Sequence, residues 1–289
     1  MRIKTVLMML LSGWAGVGMA ITPEALEAVM KQHYGEPKSV TGRRGGDDLF
    51  CMEFQYARML GKSRTLSLIC FKPSEKLKLQ LIRGGEPAPL AVQAQRSGAV
   101  AGINAGSFYH DPERGWMERG QLRINGRDLP SGATWKAHGG GYLTLDEAGN
   151  PALIAEADLA SSQAHSAVWV FPRLLTGGKP AAFQSNYCLL ALQHPRSVIG
   201  IFPDGWVMLM VVNGRQPYYA TGMTVSIVLT LLQTMGCTDA ALLDGGSCST
   251  LYWAAGDGPG EILNYPPDNR LFDHEGARDV SSVLVLTRP

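Results

Sequence analysis

Residues 224–250, TVSIVLTLLQTMGCTDAALLDGGSCST, decide how the chain is read. Apolar residues at 225, 227, 228, 229, 231, 232 and 235 predict a mostly buried helix over Val225–Met235. Thr224 supplies an N-cap hydroxyl, and Gly236 stands at the C′ position, where a left-handed backbone ends a helix. A short apolar strand, Ala240–Leu243, then presents Asp244 at its end. Two glycines and a run of small hydroxyl- and thiol-bearing residues follow. A carboxylate is thereby delivered where a substrate can come close to the backbone.

Working outward, strand-like runs recur at Leu66–Phe71, Leu77–Ile82, Val100–Asn104, Gly141–Leu145, Ser197–Phe202, Trp206–Val212 and Ser281–Thr287. Asp204-Gly205 joins two of them as a hairpin. A helix is predicted near Glu24–His33, and residues 42–48, GRRGGDD, read as a flexible loop after it. Many strands and few helices give an α+β fold with a mixed or antiparallel central sheet and few flanking helices, in a single catalytic domain. Residues 21–97 are expected to add a helix and strands to that domain.

The chain is 45% hydrophobic and 18% charged, enough to bury a large core over 289 residues. Arg2 and Lys4, an apolar stretch from Val6 and Gly18-Met19-Ala20 match a cleaved secretory signal over residues 1–20, which implies a periplasmic or secreted protein. Without those two cations, 24 basic residues face 25 acidic ones, so no basic field attracts nucleic acid. No later segment is long enough to span a bilayer as a helix. In an oxidising compartment Cys51 could pair with Cys70, and Cys237 with Cys248, although spacing alone does not determine connectivity.

Three further segments carry polar chemistry. Gly102 to Tyr109 ends a strand in Asn104, whose amide can both donate and accept. His194-Pro195-Arg196-Ser197 places a guanidinium fork at a strand entrance, where it suits phosphate or carboxylate. Asn213-Gly214-Arg215 leads into the glycine-threonine turn that opens the buried helix, and a helix start also suits an anion. Other chemistries lack their residues. Gly245 to Ser249 fails the G-x-S-x-G elbow at its last glycine, Tyr56 stands where a P-loop before Gly61-Lys62-Ser63 needs glycine, and the six histidines show no zinc spacing.

These segments, in this order, resemble the phosphodiester glycosidase family, the domain of the mannose 6-phosphate uncovering enzyme and of many exported bacterial proteins. The resemblance rests on Asn104 to Tyr109, Pro195 to Gly200, Asp204-Gly205 with Gly214-Arg215, Gly222 to Gly246, and Arg278 before the last strand. It covers residues 98–289. Cys248 stands where the family commonly has serine, and Ala105 where it has glycine.

The resemblance implies an exported hydrolase that cleaves a sugar from a sugar-1-phosphodiester or a related envelope glycan. It assigns Arg196 and Arg278 to the phosphate, Asp244 to the base or charge-stabilising role, and Asn104, Gly106, Gly222, Thr224, Gly245 and Gly246 to positioning or substrate contact. Ser249 and Thr250 are expected as hydroxyl contacts. Glu118, Asp204 and Asp279 are candidates for a second acid, with Tyr109, Trp116 and Trp253 as aromatic contacts. No cofactor and no metal ligand set is expected, and a divalent cation beside Asp244 is left open. Cys248 motivates the alternative, a secreted glycan-binding protein that keeps the fold without hydrolysis.

Overall fold

The computed structural model describes residues 21–135, 137–184, 190–256 and 258–289. Its centre follows from one stretch, Val207–Val212, which is apolar at every position and therefore suits a strand buried on both faces. Met208, Met210 and Val212 point into one core, while Val207, Leu209 and Val211 point into another. The neighbouring strands Arg196–Ile201 and Lys62–Phe71 divide their side chains in the same alternating way.

The sheet built around them has eight strands, in the order Ser39–Gly46, Leu49–Met59, Lys62–Phe71, Val207–Val212, Arg196–Ile201, Asp239–Leu242, Arg173–Thr176 and Lys179–Pro180. Every pairing in it is antiparallel. Helices α1 (Pro23–Tyr34) and α3 (Val225–Met235) cover one face, with Leu26, Met30, Val228, Leu231 and Leu232 in that core. The second core lies between the other face and two further five-stranded sheets. One of these contains Ala101–Asn104, Asp279–Thr287 and Lys78–Pro89, with α2 (Leu90–Arg96) packed outside it. The other contains Gly141–Leu145 and Ser166–Val170. Among the named strands only Ser131–Gly132 pairs in parallel, with Glu118 and Arg119. The α+β expectation holds, in an almost wholly antiparallel form.

The local signals act as their chemistry requires. Thr224 caps α3 by accepting from the Ile227 N–H at 3.3 Å, and Gly236 ends it at φ 90°. Gly205 turns the hairpin with φ 83°.

Two expectations are corrected. The segment 42–48 is not a free loop, because residues 42–46 belong to the edge strand Ser39–Gly46, whose partner strand supplies hydrogen bonds that composition does not show. Neither cysteine pair is bridged. Cys51 lies opposite Ile69 while Phe50 lies opposite Cys70, so the pleat sends the two thiols into different cores. Cys237 packs under α3 beside Gly200, whereas Cys248 lines the cavity described next.

Candidate active site

Antiparallel pairing brings the site together. Val198 opposes Leu242, so the start of the Arg196–Ile201 strand and the end of the Asp239–Leu242 strand reach the same sheet edge. Leu243 N–H donates to the Ser197 carbonyl at 2.9 Å, and Gly246 N–H to the Pro195 carbonyl at 3.0 Å. The second sheet joins through the same loop, because Asp244 N–H donates to the Ala105 carbonyl at 2.9 Å. Asp244 is therefore clamped where strand ends from two sheets meet.

Its carboxyl faces a cavity of about 990 Å³, at the upper end of the range for small-molecule sites. Ser107 Oγ donates to Asp244 Oδ1 at 2.7 Å, and the Cys248 thiol donates to the same carboxyl. Burial raises the Asp244 pKa above the usual aspartate value, while the two donors and the nearby Arg278 and Arg119 hold it back in part. Both neighbours donate, so this carboxyl serves as a hydrogen-bond acceptor. The thiol is pushed up strongly by burial and by Asp244, so it stays protonated and keeps donating.

Arginines supply the opposing charge. Arg196, Arg215 and Arg278 all line the cavity. Arg196 is buried, donates from Nε to the Met223 carbonyl at 3.0 Å and from Nη2 to the Leu192 carbonyl at 2.8 Å. Burial and the neighbouring Arg215 lower its pKa to about 10, which leaves it cationic at neutral pH. Arg215 takes a left-handed backbone, φ 62°, a conformation that costs a non-glycine residue about 1–3 kcal/mol. It reaches across Gly246 and donates to Ser247 Oγ at 2.8 Å. A side chain at Gly246 would lie 3.0 Å from the Arg215 guanidinium, on a backbone that itself has φ 65°. Arg278 is paired with Asp268 at 2.8 Å.

The sequence-predicted residues divide into two groups. Asp244, Arg196, Gly245, Gly246 and Arg278 line the cavity. Asn104 is wholly buried behind it, donating from Nδ2 to the Asp244 main-chain carbonyl at 2.6 Å and accepting from Ser197 Oγ at 2.7 Å. Ser249 and Thr250 are also fully buried, and Thr250 Oγ1 donates to the Cys248 carbonyl. Gly222 packs against the His194 backbone, Thr224 serves as the α3 cap, and Gly106 packs against Glu118 and Val168. These six residues shape the loops that form the cavity wall and do not line the cavity themselves.

Of the candidate second acids, Asp279 lines the cavity. Asp204 sits exposed in its hairpin turn. Glu118 is fully buried beneath Gly106, with Ser281 and Ser282 beside its carboxyl. Trp116 lines the cavity, whereas Trp253 is buried in the second core and Tyr109 carries the Arg119 guanidinium 4.8 Å from its ring centre.

The structure adds residues that sequence reasoning left without a role. Ser107 holds Asp244, His194 stands two residues before Arg196 and lines the cavity, and Trp135, Trp169 and Phe171 form an aromatic wall. Trp169 and Phe171 stack at 5.8 Å, with Trp135 edge-on to both. Their i, i+2 spacing, which puts two rings on one face of a strand, was the signal available in the sequence. Among the described residues no group of His, Cys, Asp and Glu is placed to hold a metal ion, and no helix is long and apolar enough to cross a membrane.

The geometry agrees with similarity to known proteins. The chain is 27% identical over 172 residues to the SPbeta prophage-derived protein YomE of Bacillus subtilis strain 168, covering 54% of this chain and 24% of that protein. It thus spans about a quarter of that relative's length. Its fold is similar to that of the zebrafish N-acetylglucosamine-1-phosphodiester alpha-N-acetylglucosaminidase catalytic domain, with a TM-score of 0.62, 17% identity, and coverage of 95% of this chain and 96% of the other. A hypothetical protein from Synechocystis matches with a TM-score of 0.60, 14% identity and coverage of 88% and 65%. A protein of Burkholderia pseudomallei K96243 matches with a TM-score of 0.53, 13% identity and coverage of 78% and 74%. The sequence model of the phosphodiester glycosidase family matches residues 97–287, and the chain belongs to that family.

Proposed function

We propose that the chain hydrolyses a glycosyl phosphodiester, breaking the bond between the anomeric carbon and the phosphate oxygen. The observation that carries this reading is that Asp244 shares one cavity with Arg196, Arg215 and Arg278. Phosphate departs as a stable anion, so the leaving group needs little help from a general acid. The work left to the protein is to hold that anion and to activate water. The guanidinium groups suit the first task. Asp244, held as an acceptor by Ser107 and Cys248, suits the second by taking a proton from the attacking water. The wall of Trp135, Trp169 and Phe171 offers ring faces to a sugar.

Residues 1–20 carry the charge and hydropathy pattern of an export signal, and we place the mature chain outside the cytoplasm, where envelope glycans are available as substrate. The mass of the exported chain checks this, with Ile21 expected as its first residue.

The activity is tested by measuring sugar release from a panel of α-sugar-1-phosphodiesters. Wild type should release sugar, and Asp244→Asn should be slower by at least about a hundredfold. Tight binding without release across the panel would leave a secreted glycan-binding protein. Hydrolysis indifferent to removal of the phosphate and to Arg215→Ala would make the chain an ordinary glycosidase.

A further inference from the structure

His194 lines the cavity, yet both of its ring nitrogens are inaccessible to water and neither has a hydrogen-bond partner among the described residues. Its backbone is firmly held. His194 N–H donates to the Met223 carbonyl at 3.4 Å, Met223 N–H donates to the His194 carbonyl at 3.1 Å, and a side chain at Gly222 would meet the His194 backbone at 2.6 Å. Pro195 follows and restricts the histidine further. An imidazole anchored in this way, with no partner for either nitrogen among the described residues, lacks there the hydrogen bonds that buried polar groups normally make.

The charged surroundings indicate what would complete it. Arg196, two residues along, and Arg215, from the turn after the Val207–Val212 strand, both act on the ring electrostatically. Asp244 and Cys248 on the loop after the Asp239–Leu242 strand, and Asp268 and Arg278 before the last strand, line the same cavity. Burial and the two arginines push the imidazole pKa below its usual value of 6.5, which favours the neutral ring in the free protein. An anion placed against those cations removes the repulsion that keeps the proton off.

We propose that His194 completes an anion cradle with Arg196 and Arg215, and that it takes up one proton from solvent when a phosphodiester group binds. No covalent bond changes. The side chain turns so that one ring nitrogen meets the cavity, the proton joins its lone pair, and the resulting imidazolium donates to a phosphate oxygen. The proposal rests on reading this cavity as a phosphate site, and it does not require hydrolysis.

The test uses dimethyl phosphate, a diester anion with no titratable proton near neutrality, and calorimetric titration in two buffers of different ionisation enthalpy at a pH near 7. The expected result is a binding enthalpy that depends on the buffer, with proton uptake approaching one per site. His194→Gln and His194→Asn should both abolish the uptake and weaken binding roughly tenfold, the size of one hydrogen bond to a charged group. In wild type the imidazole ¹⁵N signals should move to the protonated pattern on binding, which needs no variant and no assumption about folding. Binding without proton uptake, or with unchanged affinity in both variants, would overturn the role of His194 and leave the phosphate site standing. No binding to wild type would overturn both.

Discussion

The side-chain amide of Asn104 donates to the main-chain carbonyl of Asp244 at 2.6 Å, linking the end of a strand in one sheet to the catalytic-candidate loop of another. The same amide accepts from Ser197 Oγ at 2.7 Å and from the Thr250 N–H at 3.2 Å. Removing it in Asn104→Ala leaves three buried polar groups without this partner. Stability should fall by about 2–3 kcal/mol, read as a lower urea midpoint at unchanged m-value. An unchanged midpoint would show that the loop holds Asp244 without this bridge.

Cys248 occupies a place where hydroxyl and thiol do the same work. Both are donors to Asp244, and burial beside that carboxyl pushes the thiol far above its ordinary range. Folded protein should therefore react with an alkylating reagent much more slowly than denatured protein at position 248. Cys248→Ser should keep sugar release within a few-fold of wild type, and Cys248→Ala should lower it further by leaving Asp244 with fewer donors. Rapid labelling of Cys248 in the folded state would contradict the geometry.

Glu118 sets a pH dependence of stability. Burial raises its carboxyl to about 7, and Ser282, Ser281 and Arg83 draw it back only in part, while Asp244 raises it further. Its folded pKa lies above its unfolded one. The stability it contributes is complete below pH about 4.5 and declines as pH rises to about 7, a loss of roughly 3 kcal/mol. In Glu118→Gln that loss disappears, so between pH about 4 and about 8 the variant should gain about 3 kcal/mol relative to wild type. Denaturant midpoints across this range check it, and parallel pH curves for the two proteins would refute it.

Arg215 trades backbone comfort for position. Its left-handed conformation carries about 1–3 kcal/mol of strain that glycine avoids, while glycine loses about 0.5–1 kcal/mol through a freer unfolded chain. Arg215→Gly should therefore match or exceed wild type in stability, yet bind dimethyl phosphate at least tenfold more weakly. A melting temperature well below wild type would mean that the contact with Ser247 outweighs the strain.

Much of the architecture was legible along the chain because its causes are local. The 3.6-residue spacing and the caps at Thr224 and Gly236 are contained within thirteen residues, and α3 spans the predicted Val225–Met235. The Asp204-Gly205 turn and the apolar runs beside it likewise need only neighbouring residues. The segment 42–48 was misread for the opposite reason, since its glycines and charges belong to an edge strand created by pairing with Leu49–Met59. The cysteine pairs failed on register, where one residue of offset sends Cys51 and Cys70 to opposite faces.

By itself the sequence determined the two helices at Glu24–His33 and Val225–Met235, the hairpin at Asp204-Gly205, the family, and the loops that bear Asn104, Arg196, Asp244 and Arg278. Only the tertiary structure decided which of those side chains face the cavity. Asn104 and Asp244 are 140 residues apart, and whether an amide reaches a substrate or a main-chain carbonyl depends on how two sheets pack. The same holds for the strained Arg215, the covered ring nitrogens of His194 and the buried Glu118. Burial and hydrogen-bond satisfaction depend on residues distant in sequence, and no local pattern records them.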